Sequence, residues 1–571
     1  MHKQAGAQTK ERMQENSNLT VLIIDPNPGM RSNLQNMLNL SGISKVEYAV
    51  NAGTAIRQLA RRSYDIVLCE YDLGSSGGTG GGTGGGGSTG GTGIGAGQDG
   101  QQLLEDLRHH RLLSPWAIFI MLTSEAVYGK VIGAAELAPT DYVLKPFTAE
   151  TLGARIARAV ERRAAFLPAY QMVAQGKVPD AIRSAAALEI AQPRYALDFA
   201  RLRAELHASL GEHGEAEQIY RKVLAYKPLG WAGLGLARAE FAQGRIEGAR
   251  ETLQVLVAAN PRLMAAYDLL ARCHESSGEH AQAQKILEEA VAISPHLVRR
   301  LRKLGEVALE AGDAQTAEKS FKQVVSKARY SEFRDPEDHV RLVKALVTRG
   351  DMLGASGVVR DLERSMRASP ELDACVGVAN AALHDAAGNK AAAALGLQNA
   401  VAAVRASSAL STGLKVGLVR SCLEHRLDGP AQEVMMTVVN DGGSGVDAQD
   451  ALRIFADAGR RDLADGMNQQ LMAQAQILLG MADEKRNMGD VRGAVQTLLE
   501  ALHMAPQNLQ VMIAVAGGVL RQMGELGWDH PLGELCLAQL EKIGAIDAQH
   551  PRLGPLTEEY AAMRRKYGIS T

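Results

Sequence analysis

The pattern that most limits what this chain can fold into is a recurring Gly-x-x-x-x-Ala. It occurs at Gly176/Ala181, Gly211/Ala216, Gly244/Ala249, Gly278/Ala283, Gly312/Ala317, Gly350/Ala355, Gly388/Ala393, Gly459/Ala464 and Gly489/Ala494, with a degenerate copy at Arg426/Ala431. The glycines step by 35, 33, 34 and 34 residues (176 to 211, 244, 278 and 312) and then by 38 (312 to 350). A period of this size means one helical hairpin per repeat, and hairpins that cannot bury their apolar faces alone stack into a solenoid. Each glycine is placed to end one helix and each alanine to lie where the next helix crosses it closely. Four residues beyond the alanine comes a large apolar side chain, as at Tyr220, Leu253, Leu287, Phe321 and Leu498. Pro193, Pro228, Pro261, Pro295 and Pro506 close the second helices, because proline steers the preceding residue out of the helical region. Composition agrees: 46% of the chain is hydrophobic but only 4% aromatic, which suits closely packed Ala, Leu and Val helices.

The first 165 or so residues follow another rule. Residues 1–18 are polar and expected to be disordered. The run TVLII at 20–24 has strand length and ends at Asp25, where Pro26 and Pro28 forbid its extension. Helical spacing over 30–40 stops at Ser41-Gly42. A strand at 45–50, a helix at 53–62 and a strand at 66–69 follow, the last presenting Glu70. Residues 74–97 are almost only Gly, Ser and Thr, a composition that cannot bury enough surface to order itself. Its glycines can be fitted to a nucleotide-binding pattern, but no Gly-Lys-Ser/Thr is present, and a disordered insertion is the better reading. A helix at 101–110, a strand at 117–122, a helix at 127–137, a strand at 141–144 and a last helix capped by Thr148 complete the set. Five strands alternating with helices predict a doubly wound parallel sheet, with Asp25, Glu70, Thr123 and Lys145 gathered beyond the strands' carboxyl ends.

The segments VLIIDPNPGMRSNL, DIVLCEYDLG, IMLTSEA and DYVLKPFTAETL resemble, in order and spacing, the receiver domain of bacterial two-component response regulators. The resemblance covers about residues 19–163 and implies a flavodoxin-like fold. It implies an aspartate that accepts a phosphoryl group, two acids that hold Mg²⁺, a Ser/Thr and a Lys on the phosphoryl oxygens, and an aromatic that reorients. Thr123, Lys145 and Tyr142 match. Pro26 stands at the second metal-holding position and Glu70 at the acceptor position, which leaves at most Asp25 and Glu70 as a residual Mg²⁺ site. Glu70 carries its carboxylate about 1 Å further out, and a misplacement of that size can cost about 100-fold in transfer. A longer carboxylate can instead reach Lys145 and Thr123 and supply permanently some of the charge an acyl phosphate would bring. The expectation is a receiver that is not phosphorylated and binds no cofactor, Mg²⁺ entering only if the pocket is competent.

Residues 164–571 resemble the tetratricopeptide repeat, most clearly at 197–328 and 475–508; between about 329 and 474 the steps lengthen and closing prolines are scarce, as in generic hairpins. The receiver's last helix is expected to run almost straight into this α-solenoid, with a break at Pro168. In repeat register, Trp231, Arg238, Phe241, Arg272, Arg299 and Arg302 come from inward-facing positions and are the candidate partner-binding residues. A net charge of −2 provides no global field for nucleic acid or an anionic membrane. Five cysteines without a C-x-x-C spacing argue against a disulfide framework or a zinc site. No signal-peptide core, no run of about 18 apolar residues and no hydrolase, metalloprotease, kinase or cyclase signature is visible, so a cytoplasmic, non-enzymatic protein is expected. The function expected is a signalling adaptor that binds other proteins through the solenoid, a kinase or another response regulator among them. The alternatives are a phosphorylation-switched regulator, a nucleic-acid-binding solenoid raised by the basic run at 296–303, and a homo-oligomerisation scaffold or homodimer.

Overall fold

The computed structural model describes residues 16–73, 99–124, 139–328 and 334–568, apart from Pro115, His296, Ser408, Gly442 and Gly443. Most of the polar N-terminus, the Gly-rich insertion at 74–97 and the helix expected at 127–137 lie outside the described residues. The chain divides into two compact units, residues 1–209 with 213–338, and residues 210–212 with 339–571.

The first unit begins with a five-stranded parallel sheet in the order β2-β1-β3-β4-β5. Its strands are β1 (Thr20–Ile24), β2 (Lys45–Ala49), β3 (Ile66–Glu70), β4 (Ile118–Ser124) and β5 (Asp141–Lys145), with α1 (Pro28–Leu40), α2 (Ala52–Leu59) and α3 (Gly100–His109) among them. A sheet covered on both faces needs apolar side chains at successive positions, and the alternation is direct. Val21, Ile23, Ile66 and Leu68 join Leu34 and Leu38 in one core. Leu22, Ile24, Val67 and Cys69 join Leu103 and Leu104 in the other. The expected elements form with ends displaced by up to three residues, the largest shift being the end of α2 at Leu59 in place of 62. α1 starts two residues early, at Pro28, because Asn27 caps it, accepting from the amides of Gly29 and Met30.

The next helix, α4 (Ala149–Ala174), corrects one expectation. It does not break at Pro168. Leu152 and Ile156 lie in the core beneath the sheet, whereas Phe166 and Ala169 lie in the first core of the helical region. Phe166 stacks on Phe199 with ring centroids 4.2 Å apart, so apolar packing on both sides of the proline holds the helix together against the lost hydrogen bond. Arg163 on α4 also pairs with Asp65, just before β3, at 2.6 Å. Despite burial, hydrogen bonds from Thr20 and Arg163 hold the Asp65 carboxyl below its ordinary pKa.

Antiparallel helices follow: α5 (Val178–Ala191), α6 (Ala196–Ser209), α7 (His213–Tyr226), α8 (Gly230–Ala242), α9 (Ile246–Ala259), α10 (Met264–Ser276), α11 (His280–Ile293), α12 (Val298–Glu310) and α13 (Ala314–Ala328). The second unit continues the pattern from Met352–Ser365 to Leu553–Lys566. All nine repeat glycines have positive φ, between 73° and 82°, and Arg426 at the degenerate copy has φ 57°. Ala181, Ala216, Ala249, Ala283, Ala317, Ala355, Ala393, Ala431, Ala464 and Ala494 are all buried. The hairpin geometry therefore persists among the described residues between 334 and 474. There five helices open on side-chain caps, from Asp351, Ser369, Asn389, Ser411 and Asp447.

The left-handed turn yields the first prediction. Gly278 has φ 74° with nothing near the position of a Cβ, so Gly278→Ala isolates backbone strain and should cost about 1 kcal/mol. Arg426→Gly should do the opposite, stabilising by about 0.5–1 kcal/mol. Amide exchange of the flanking helices in the full chain measures both; equal shifts of one sign would refute the assignment.

Candidate functional site

Brought together at the carboxyl end of the sheet are Asp25, from the end of β1, Glu70, from the end of β3, Thr123 in β4 and Lys145, the last residue of β5. The sheet order makes this inevitable, since β1 and β3 are neighbours where the winding reverses. Strand register sets Glu70 opposite Leu122 and Lys145 opposite Ser124. Behind Glu70 the chain passes into the Gly-rich segment and returns at Gly100, whose amide donates to the Tyr71 carbonyl at 2.7 Å. A Cβ at Gly100 would lie 2.5 Å from the Glu70 carbonyl oxygen, so only glycine lets α3 start this close to the strand.

The Lys145 ammonium donates to Glu70 Oε2 in a direct ion pair and lies 4.0 Å from Asp25 Oδ2. The other Glu70 oxygen accepts from the Asp72 amide at 3.3 Å. Asp25 is 2% exposed; its Oδ1 accepts from the Asn27 amide at 2.8 Å, and its buried Oδ2 has no hydrogen-bond partner among the described residues. Burial raises the pKa of both carboxyls; Asn27, Lys145 and Arg31 oppose it at Asp25, and Lys145 opposes it at Glu70. Thr123 is buried with its hydroxyl donating to the Ser124 carbonyl at 3.4 Å. Tyr142 is partly buried and packs on the core beside α2 and α3. Arg31, which the sequence reading passed over, donates to the carbonyls of Asp25 at 2.6 Å and Pro26 at 3.1 Å. It places a second cation beside Asp25; its only sequence signal is its position one turn into α1.

The solenoid candidates separate. Arg238, Arg272, Arg299 and Arg302, from α8, α10 and α12, line one cleft of about 510 Å³. Phe241 is absorbed into a core cluster and carries Arg272 over its ring at 5.0 Å. Trp231 packs in a neighbouring core, edge-on to Tyr220. The two aromatics are therefore wall residues, outside the cleft, because their positions on α8 face the preceding and following hairpins. Among the described residues no group of three or more His, Cys, Asp or Glu is placed to hold a metal, and no helix is long and apolar enough to cross a membrane. All five cysteines are buried free thiols.

The tetratricopeptide repeat profile matches residues 172–230, 207–273 and 265–297. The N-terminal region is similar to chemotaxis protein CheY-3 of Vibrio cholerae, 26% identical over 147 residues, which cover 26% of this chain and 95% of that one. It is also similar to chemotaxis protein CheY of Pseudomonas aeruginosa, 26% identical over 144 residues, covering 25% and 98%. Among solved structures, the receiver domain of NtrX from Brucella abortus is 20% identical with a TM-score of 0.19, covering 25% of this chain and 98% of that one. A tetratricopeptide repeat protein from Parabacteroides merdae is 14% identical with a TM-score of 0.31, covering 48% and 98%. The chain thus joins a receiver-like domain to tetratricopeptide repeats, the make-up of a signalling protein with protein-binding repeats.

Because the folded carboxyls of Asp25 and Glu70 are raised, the folded state holds protons that the unfolded chain releases. Stability contributed by this site should therefore fall as pH rises from the ordinary values of 3.8 and 4.5 through the raised ones. Lys145→Met removes the cation that opposes this, and should steepen the fall and lower the opening free energy of β3 and β5 by about 2–3 kcal/mol at neutral pH. Amide exchange corrected for intrinsic rates reads both; a Lys145→Met protein with unchanged β3 protection would contradict the pairing.

Proposed function

We propose that this protein is a signal-transduction adaptor in which a receiver that has lost phosphoryl transfer presents a fixed state to a protein-binding solenoid. One observation carries the reading: the Lys145 ammonium, which in a receiver would meet a phosphoryl oxygen, is engaged by the Glu70 carboxylate. A charge-assisted contact of this kind stands where the phosphoryl–lysine contact would form, without any modification. Resident Mg²⁺ does not fit the residues present. Pro26 has no side-chain oxygen, both Glu70 oxygens are engaged, and Arg31 lies against the Asp25 and Pro26 carbonyls.

Nothing in this reading asks the receiver to switch. Its task is to hold one surface, and α4, continuous from the sheet into the repeats, supports a fixed relation between receiver and first hairpins. The repeats do the binding, through the open face formed by the first helices of successive hairpins.

Beryllofluoride with Mg²⁺, an acyl-phosphate mimic, should leave the methyl NMR signals of Ile120 and Met121 in the full-length protein unmoved. Glu70→Gln keeps an oxygen for Lys145 to donate to and should weaken partner capture by about tenfold, the equivalent of one charge-assisted contact, while circular dichroism shows the protein still folded. Shifted methyl signals would replace this reading with a phosphorylation-switched regulator, and a Glu70→Gln protein with full affinity would reduce the pocket to a packing relic.

A further inference from the structure

The cleft on α8, α10 and α12 holds more positive charge than its own carboxylates compensate. Arg300 is consumed by Asp268 through two 2.8 Å bonds, Arg302 by Asp338 at 2.6 and 2.7 Å, and Lys303 by Glu275 at 2.6 Å. Arg238, Arg272 and Arg299 remain exposed, and among the described residues none of the three is in an ion pair. They come from the first helices of three successive hairpins, 34 and 27 residues apart in sequence, and Leu269 and Leu297 line the same cleft. The receiver adds charge of the same sign: α3 ends in Arg108-His109-His110-Arg111. Burial and the fields of Arg299, His110 and Arg302 lower the His109 pKa, so the two basic surfaces act on each other within one unit. Like charges gathered along one cleft repel one another, and an anion bound among them relieves that repulsion.

We propose that this cleft takes an acidic, extended polypeptide segment of another protein, its carboxylates meeting Arg238, Arg272 and Arg299 and an apolar side chain resting on Leu269 and Leu297. The inference rests on the protein-binding reading above and names the chemistry of the partner. Guanidinium forks match carboxylates bidentately, as the Arg300–Asp268 and Arg302–Asp338 pairs already do in the same walls. A single-stranded nucleic acid fits less well, because base recognition needs free aromatic faces, and Phe241 and Trp231 are partly buried, each with an arginine already over its ring.

The test uses the full-length protein and a fluorescein-labelled peptide of alternating Glu and Leu, with a Gln/Leu peptide and single-stranded oligo-dT as comparison probes. Binding of the Glu/Leu peptide should weaken with salt and fall about tenfold in Arg238→Glu/Arg299→Glu. The milder Arg238→Gln/Arg299→Gln should give an intermediate loss, and unchanged circular dichroism melting shows that the variants fold. No binding, binding unaltered by either variant, or equal binding of the Gln/Leu peptide overturns the proposal, and tighter binding of oligo-dT assigns the cleft to nucleic acid instead. Lysate capture run in parallel separates the two levels. If wild type and the charge-reversed protein retain the same partner, protein binding stands and the cleft falls; if wild type retains only itself, the protein-binding reading falls too.

Discussion

Much of the first unit depends on one helix that belongs to two cores. Along α4, Leu152 and Ile156 complete the core under the sheet, and three turns later Phe166 and Ala169 open the core of the first hairpin. A rigid rod with both ends buried cannot rotate without emptying one core or the other, and interiors at crystal-like density resist that. The Arg163–Asp65 pair ties the middle of the rod to the start of β3. The ring contact between Trp116 and Tyr170, 6.4 Å between centroids, adds a second tie further along. The same helix thus belongs both to the core beneath the sheet and to the core of the first hairpin.

Within that frame the polar pocket is organised by charge. Two carboxylates raised by burial share one ammonium, and Arg31 lies along the flank where Pro26 brings no side-chain oxygen. On the proposed reading, a phosphoryl group would have to displace a carboxylate already in contact with Lys145. The cleft of the repeats is the reverse case: its walls hold satisfied Arg–carboxylate forks, and it carries three arginines that, among the described residues, form no such fork.

Legibility in the sequence was uneven, for physical reasons. The repeat could be read almost to the residue, because a left-handed helix terminus demands glycine and a close helix crossing demands alanine, and both demands recur with the period. Arg426, breaking the first demand, still adopts φ 57°. The hairpin's packing imposes the turn even where the residue resists it. Pro168 shows the opposite failure: a local rule predicted a break that tertiary burial of Phe166 overrode. Trp231 and Phe241 are partly buried on α8 and do not line the cleft that the arginines share, an angular detail that spacing along a helix does not fix.

The sequence by itself determined the two architectures, their order along the chain, and the pocket's cast of Asp25, Glu70, Thr123 and Lys145, since these follow from periodicity and from the positions at which strands end. Only the tertiary structure decided that Glu70 engages Lys145, that Arg31 lies beside Asp25, and that three arginines separated by whole repeats line one cleft. Those relations depend on distances between side chains far apart in the chain, which strand register and helix stacking set and no local pattern encodes.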